Sequence, residues 1–247
     1  MCCFGGDDDD DDDDGSGFYY PCYDHHSLDI FQGTDWSEFC HNLSNNTTLK
    51  RLAMVNQCDV DTRTFNRLGA VWRDSPNQVK IEFLELERFS ISSQLFDDLC
   101  HNRYITTLIL TESTLEYSLM PSFSNMLSIN NTIKTLSIAA NRIGSTGCKD
   151  LAMAFKANKS ITVLDITENE FENDVIDELF TSLLVNDTVE YLVLDQKNCT
   201  PDHPYFTLSK SLKQYFYMNT HYSPPNFSID GDDGNNTSLS VYSPKGV

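Results

Sequence analysis

The chain has 247 residues, a formal net charge of −20 from 37 acidic and 17 basic side chains, and a hydrophobic content of 40%. That balance argues against direct binding of a nucleic-acid backbone, which needs clustered Lys and Arg to displace counterions. No stretch approaches the roughly 20 apolar residues of a membrane span, and the first residues lack the apolar core of a signal peptide, so an intracellular, cytoplasmic setting is expected.

Residues 1–27 read as an unstructured acidic leader. Asp7 to Asp14 supply eight of the negative charges and repel one another, and Gly5, Gly6, Gly15 and Gly17 flank them. Phe18, Tyr19, Tyr20 and Tyr23 follow the acids directly. The domain proper is expected over 28–218. Trp36, Phe39 and Leu43 fall at helical spacing behind Thr34, a suitable N-cap, which predicts a capping helix over 35–44.

A repeat begins at Leu49. Six segments share the pattern apolar-x-x-Leu-x-apolar, starting at Leu49, Ile81, Ile105, Ile133, Ile161 and Val189, and the last four are 28 residues apart. Fixed spacing of this kind signals stacked repeats, each a short strand, a loop and an amphipathic helix. The spacings of 32 and 24 before Ile105 deviate by four residues in opposite directions, a change that a helix or loop can absorb without disturbing the strands. After the strands beginning at Ile133 and Ile161, Asn141 and Asn169 stand where a buried amide can bond the loop backbone of neighbouring turns. Leu151, Ala154 and Phe155, then Val175, Ile176, Leu179, Phe180, Leu183 and Leu184, give apolar helix stripes. Asn130-Asn-Thr132, Asn158-Lys-Ser160 and Asn186-Asp-Thr188 have the form of glycan acceptors but read as loop chemistry in a cytoplasmic chain. Pro201 and Pro204, followed by Phe206, Leu208, Leu212, Tyr215 and Phe216, predict a closing helix, and the Ser, Pro, Gly and Asn content of 219–247 predicts an unstructured tail.

At these residues the chain resembles the ribonuclease-inhibitor-like leucine-rich-repeat family, over residues 35–217. Asn158-Lys-Ser-Ile161-Thr-Val-Leu164-Asp-Ile166-Thr-Glu-Asn169 fits the family pattern residue by residue. The resemblance implies a right-handed α/β solenoid, a horseshoe with a parallel concave sheet, convex helices and about six repeats. It leaves function open, because the family holds immune-receptor sensor arms, a GTPase activator, actin pointed-end cappers and enzyme inhibitors. Over a shorter stretch, Asn186-Asp-Thr-Val-Glu-Tyr-Leu192-Val-Leu194-Asp195-Gln196 looks like the end of the tropomodulin repeat domain, which would imply an actin pointed-end regulator. An acidic run joined to such repeats also resembles GTPase activators of the RanGAP type, although here the run precedes the repeats; that likeness would give a role to an exposed Arg such as Arg142.

Strand side chains alternate, so Leu164 and Ile166 are expected inside and Val163, Asp165 and Thr167 on the concave face. The same register places Phe83, Glu85, Glu87, Ile109, Tyr191, Val193 and Asp195 on that face. Apolar anchors in an acidic surround fit a protein partner with a basic rim, which makes a non-enzymatic interaction module the leading expectation. The alternation carries its own test: Leu164→Asp should unfold the chain, whereas Asp165→Lys should leave folding intact.

No cofactor or metal site is expected. Cys22, His25 and His26 lack the spacing of a zinc module, and His41, His101, His203 and His221 have no adjacent nucleophile and acid. Glu85 and Glu87 read as a solvated patch rather than an acid/base pair. The eight cysteines are scattered, with Cys58, Cys100, Cys148 and Cys199 in or beside repeats, as reduced buried thiols would be. Cys2 and Cys3 are residue types that accept acyl chains, but the neighbouring Asp run would repel anionic headgroups, so no anchor is expected.

Overall fold

The computed structural model describes residues 34–55, 62–74, 79–195, 213–217 and 238–241. The chain alternates helix and strand: α1 (Thr34–Ser44), β1 (Arg51–Val55), α2 (Thr62–Asp74), β2 (Phe83–Glu87), α3 (Ser93–Leu99), β3 (Thr107–Thr111), α4 (Met120–Ile129), β4 (Thr135–Ser137), α5 (Gly144–Ala157), β5 (Val163–Asp165), α6 (Asn173–Val185) and β6 (Tyr191–Asp195). Two further strands, β7 (Lys213–Tyr217) and β8 (Ser238–Val241), lie at the sheet's ends, in the order β7-β6-β5-β4-β3-β2-β1-β8. Every pairing is parallel. Helices pack in sequence order on one side of the sheet. Consecutive parallel strands joined by helices form right-handed crossovers, and this stack is a right-handed leucine-rich-repeat-type solenoid.

The repeat register is the one the sequence dictates. Leu52, Leu84, Leu108, Leu136, Leu164 and Leu192 align strand by strand, and each is buried. Ile81, Ile105, Ile133, Ile161 and Val189, two residues before their strands, fill the same core. The short spacing is absorbed in a helix, since α3 has only 7 residues, whereas α2 at 13 residues is no longer than α6 of a regular repeat, so the extra residues of the long spacing lie outside α2; β1, β2 and β3 stay in register. The N-terminal cap forms as expected, with Trp36 and Leu43 buried and Phe39 stacked on Trp36 at 5.5 Å between ring centroids.

At the other end the expectation fails. The closing helix is instead, over Lys213–Tyr217, the strand β7 paired with β6. An edge strand leaves a row of unpaired backbone groups, and extending the sheet satisfies those of β6, which a helix does not do. β8, within the stretch read as a tail, pairs with β1. The leader at 1–27 lies outside the described residues, as do Cys58 and Cys199. Leu184, read as part of the α6 stripe, is 41% exposed, whereas Leu179, Phe180 and Leu183 are buried.

Two asparagine ladders tie the repeats together. On the strand-to-helix side, Asn141 Nδ2 donates to the carbonyls of Leu110, Ile138 and Ala139 at 2.7, 2.9 and 3.0 Å, and its Oδ1 accepts from the N–H groups of Ser113 and Leu115 at 2.9 and 3.0 Å. Asn169 repeats the arrangement one turn on, and Ser113 stands in the equivalent place one turn before. The preceding residues Glu112, Ala140 and Glu168 adopt left-handed backbone with φ of 50°, 53° and 56°, a strain that these hydrogen bonds offset.

The second ladder runs along the helix-to-strand side. Asn130, Asn158 and Asn186 each donate from Nδ2 to two carbonyls of the preceding repeat: Leu99 and Asn102, Leu127 and Asn130, Phe155 and Asn158. Each Oδ1 accepts backbone N–H groups two and three residues on. These are the asparagines of the three Asn-x-Ser/Thr triplets named above, which are among several in the chain. All three asparagines are buried, so their amide nitrogens are structural.

One contact between the outer helices is electrostatically costly. The Asp98 side chain on α3 is 1% exposed; Arg73 Nη1 and Gln94 Nε2 both donate to its Oδ1 at 3.1 Å, but Oδ2 has no partner. Burial pushes the carboxyl above its ordinary value, with Gln94 and Arg73 drawing it back. The folded chain therefore holds this proton more tightly than the unfolded chain. The contribution is fully present below the unfolded value of about 3.9 and is lost as pH rises through the folded one. Chemical denaturation of parent and Asp98→Asn between about pH 3 and pH 7 should show the variant gaining relative stability as pH rises. A constant difference across that range would mean that Asp98 does not titrate abnormally.

The described cysteines are inert by the same logic. Burial pushes the Cys40 thiol up to about 11 and the Cys148 thiol up to about 12. Thiolate is the reactive form, so iodoacetamide at pH 8 should modify neither residue in the native chain and both after denaturation, read by peptide mass spectrometry.

Candidate interaction site on the sheet

The helix-free face of the sheet is built from three cross-strand rows. One carries Arg51, Phe83, Thr107, Thr135, Val163 and Tyr191; the second carries Ala53, Glu85, Ile109, Ser137, Asp165 and Val193. Val55, Glu87 and Thr111 begin the third. The alternation read from sequence is therefore correct in register. It is wrong about exposure at four positions, Phe83, Ile109, Asp165 and Thr167, all of which are buried.

Phe83 and Ile109 are 3% and 5% exposed and form, with Ala53, a small apolar cluster separate from the main core. Diagonal neighbours on adjacent strands lie close enough to cover one another, and concave curvature draws them closer. Arg51 then closes over the cluster, its guanidinium carbon 3.5 Å from the Phe83 ring centroid. These two side chains are second-face core, not solvent-facing anchors.

Asp165 is the third correction, at 1% exposed. Its Oδ2 accepts from Ser137 Oγ at 3.1 Å, and its Oδ1 accepts from the Thr167 N–H at 3.1 Å and from Thr167 Oγ1 at 2.9 Å. This carboxylate holds the β4–β5 region and the turn after β5 together instead of facing a partner. Asp165→Lys is accordingly destabilising, contrary to the expectation from alternation alone.

What remains accessible divides into two halves. Towards the N-terminus the charges are paired: Arg51 lies 3.8 Å from Glu85, and Arg88 lies 3.5 Å from Glu87 and 2.9 Å from Glu112. The acidic surround expected from sequence is thus interleaved with arginine. Towards the C-terminus Thr135, Val163, Tyr191 and Val193 are half-exposed on neighbouring strands. Asp195 ends β6. Arg142 is exposed beyond the sheet, between β4 and α5. Among the described residues there is no group of three or more His, Cys, Asp or Glu that could hold a metal, and no helix long and apolar enough to cross a membrane. Cys22, His25 and His26 lie outside those residues.

Sequence reasoning missed the Asp165 network and the second asparagine ladder. The signal for the ladder was present as Asn102, Asn130, Asn158 and Asn186, spaced by 28.

The fold defines a leucine-rich-repeat-like α/β solenoid. No protein-family model matches the chain, and no curated protein does. Among solved structures, the leiomodin-1 actin-binding site 2 is similar at 16% identity and a TM-score of 0.46, covering 66% of this chain and 80% of that one. The tropomodulin C-terminal domain of Caenorhabditis elegans is similar at 12% identity and a TM-score of 0.47, covering 71% and 89%.

Proposed function

We propose that this chain is a protein-recognition module that binds its partner on the C-terminal half of the sheet face, through Val163, Tyr191 and Val193. The observation that supports this reading is their arrangement: three half-exposed apolar or aromatic side chains on the paired strands β5 and β6, on the helix-free face, form a contiguous patch. Such side chains give binding energy when a partner desolvates them, and Tyr is among the residues enriched in binding hot spots. Glu85 and Glu87, with Arg51 and Arg88, supply a charged flank that fixes orientation more than affinity.

The test is affinity capture with the full chain and with a Val163→Ala, Tyr191→Ala, Val193→Ala variant of matching circular dichroism. A partner held by the parent and lost from the variant supports the reading; partners held equally by both remove it. Actin pointed-end regulation is the second reading. It rests on the tropomodulin-like segment from Asn186 to Gln196, whose residues 186–195 supply the turn and strand β6, with Tyr191 and Val193 of that patch. Slowed pointed-end elongation with the parent and not with the triple variant supports it, and an unchanged rate with the parent rules it out.

A further inference from the structure

The sheet's N-terminal end holds a repeat assembled from two distant parts of the chain. In each inner repeat the strand comes first and its helix follows: β1 leads to α2, β2 to α3, β3 to α4, β4 to α5 and β5 to α6. α1 packs on α2 as the next helix of the same row. It also ends in the same turn, where Asn46 Oδ1 accepts the N–H groups of Thr48 and Leu49 at 3.0 and 2.7 Å, as Asn130, Asn158 and Asn186 do in theirs. α1 is thus the helix and turn of a further repeat. The strand position beside β1 that belongs to this repeat is taken by β8, from beyond β7 in the chain.

The sequence of β8 suits that position. It pairs in parallel, with Ser238 opposite Arg51, Leu239 opposite Leu52, Ser240 opposite Ala53 and Val241 opposite Met54. Leu239 therefore extends the leucine row of the six repeat strands by one place. Leu239-Ser-Val241 repeats the Leu-x-apolar core of those strands and differs from Leu136-Ser-Ile138 by a single methylene. The acceptor is apolar as well, since Leu52, Ala53 and Met54 are all buried. Strand addition of this kind takes affinity from main-chain hydrogen bonds and specificity from alternate side chains.

Attachment sets β8 apart from the other strands. β2 to β5 each lie in the chain between two helices that pack in the same row, whereas no described helix adjoins β8 in the chain. It is joined to β7, at the far end of the sheet, through residues 218–237. Seven strand spacings separate β7 from β8, roughly 34 Å across the sheet, and one strand length adds roughly 17 Å along it. A connection of that length spans at most about 66 Å, so the same chain supplies the strand on a tether. A tethered strand without a helix of its own is replaceable by another segment that offers the same alternation.

We infer that the outer edge of β1 is a strand-acceptor site. It takes an extended segment of Leu-x-Val type in parallel register, β8 fills it in cis, and a segment of that pattern from another protein enters only when β8 leaves. This surface lies at the opposite end of the sheet from Val163, Tyr191 and Val193, so it does not depend on the binding patch formed by those residues.

The test uses the full chain, a full-length Leu239→Pro, Ser240→Pro variant of matching circular dichroism, and a fluorescein-labelled peptide of residues 236–243. Adjacent prolines remove one N–H from each side of the strand, so the variant's own β8 cannot pair. Peptide anisotropy should rise with the variant, and the parent should bind at least about tenfold more weakly, because a tethered strand competes at an effective concentration on the order of mM. Amides of Arg51–Val55 should exchange faster in the variant than in the parent, and added peptide should slow them again. Absence of binding to the variant overturns the inference, as does equal binding to both proteins, equal binding by the peptide carrying Leu239→Asp, or unchanged exchange at β1. A parent dimer in light scattering that the variant does not form also overturns it, because it assigns the strand on β1 to a second copy.

Discussion

Leu164→Asp abolishes folding. Leu164 is fully buried in β5, in register between Leu136 and Leu192, so a carboxylate there has no water and no donor. The lost burial costs about 1.5–3 kcal/mol, and the stranded ion adds several kcal/mol more. Their sum is comparable with the whole stability of an ordinary domain, about 5–15 kcal/mol. Far-UV circular dichroism and size-exclusion chromatography should show a chain without native secondary structure at 25 °C. Asp165→Lys, one residue on and on the opposite face, is expected to fold but to lose about 3–5 kcal/mol, since it removes an acceptor used by Ser137 and Thr167 and buries a cation among donors. Asp165→Asn should lose much less, because one amide oxygen still accepts. Native-like stability of Asp165→Lys would show that the carboxylate is not the tie described here.

Asn141→Ala is expected to be as damaging as Asp165→Lys. The side chain serves three carbonyls and two N–H groups across two repeats, all in a site 3% exposed. Alanine leaves those groups without partners in a space too tight for free solvation. Each unpaired buried group costs about 1–3 kcal/mol, partly recovered where a carbonyl keeps another bond, so a total loss of about 3–5 kcal/mol is expected. It also releases the left-handed Ala140 from its restraint. In a solenoid each repeat is stabilised chiefly by its neighbours, so the break should spread from β4 to both adjacent turns. Urea denaturation measures the loss, and hydrogen exchange should rise around Ser113 to Leu115 and Asn141 rather than at α1. A loss below about 1 kcal/mol would mean that water replaces the amide.

The repeat was legible because its information is local and periodic. The spacing of 28, the leucine at the fourth place of each segment and the alternation along strands depend on backbone geometry alone, and Leu52 to Leu192 align as that geometry requires. Even the 32 and 24 spacings were legible, because strands in register leave the helices and loops between them as the place to gain or lose residues. The sequence by itself thus determined the α/β repeat, the strand register and the main core. Tertiary structure alone decided which outward residues stay wet. Phe83 and Ile109 are covered by Ala53 and Arg51 from other strands, and Asp165 is held by Ser137 from the strand before it, 28 residues away. Alternation names the face a side chain leaves from, while exposure depends on what the neighbouring strands and their curvature place above it. The end of the sheet follows the same rule: Leu208, Leu212, Tyr215 and Phe216 have spacing that suits a helix, but over Lys213–Tyr217 the unpaired edge of β6 supplies the hydrogen bonds that make a strand.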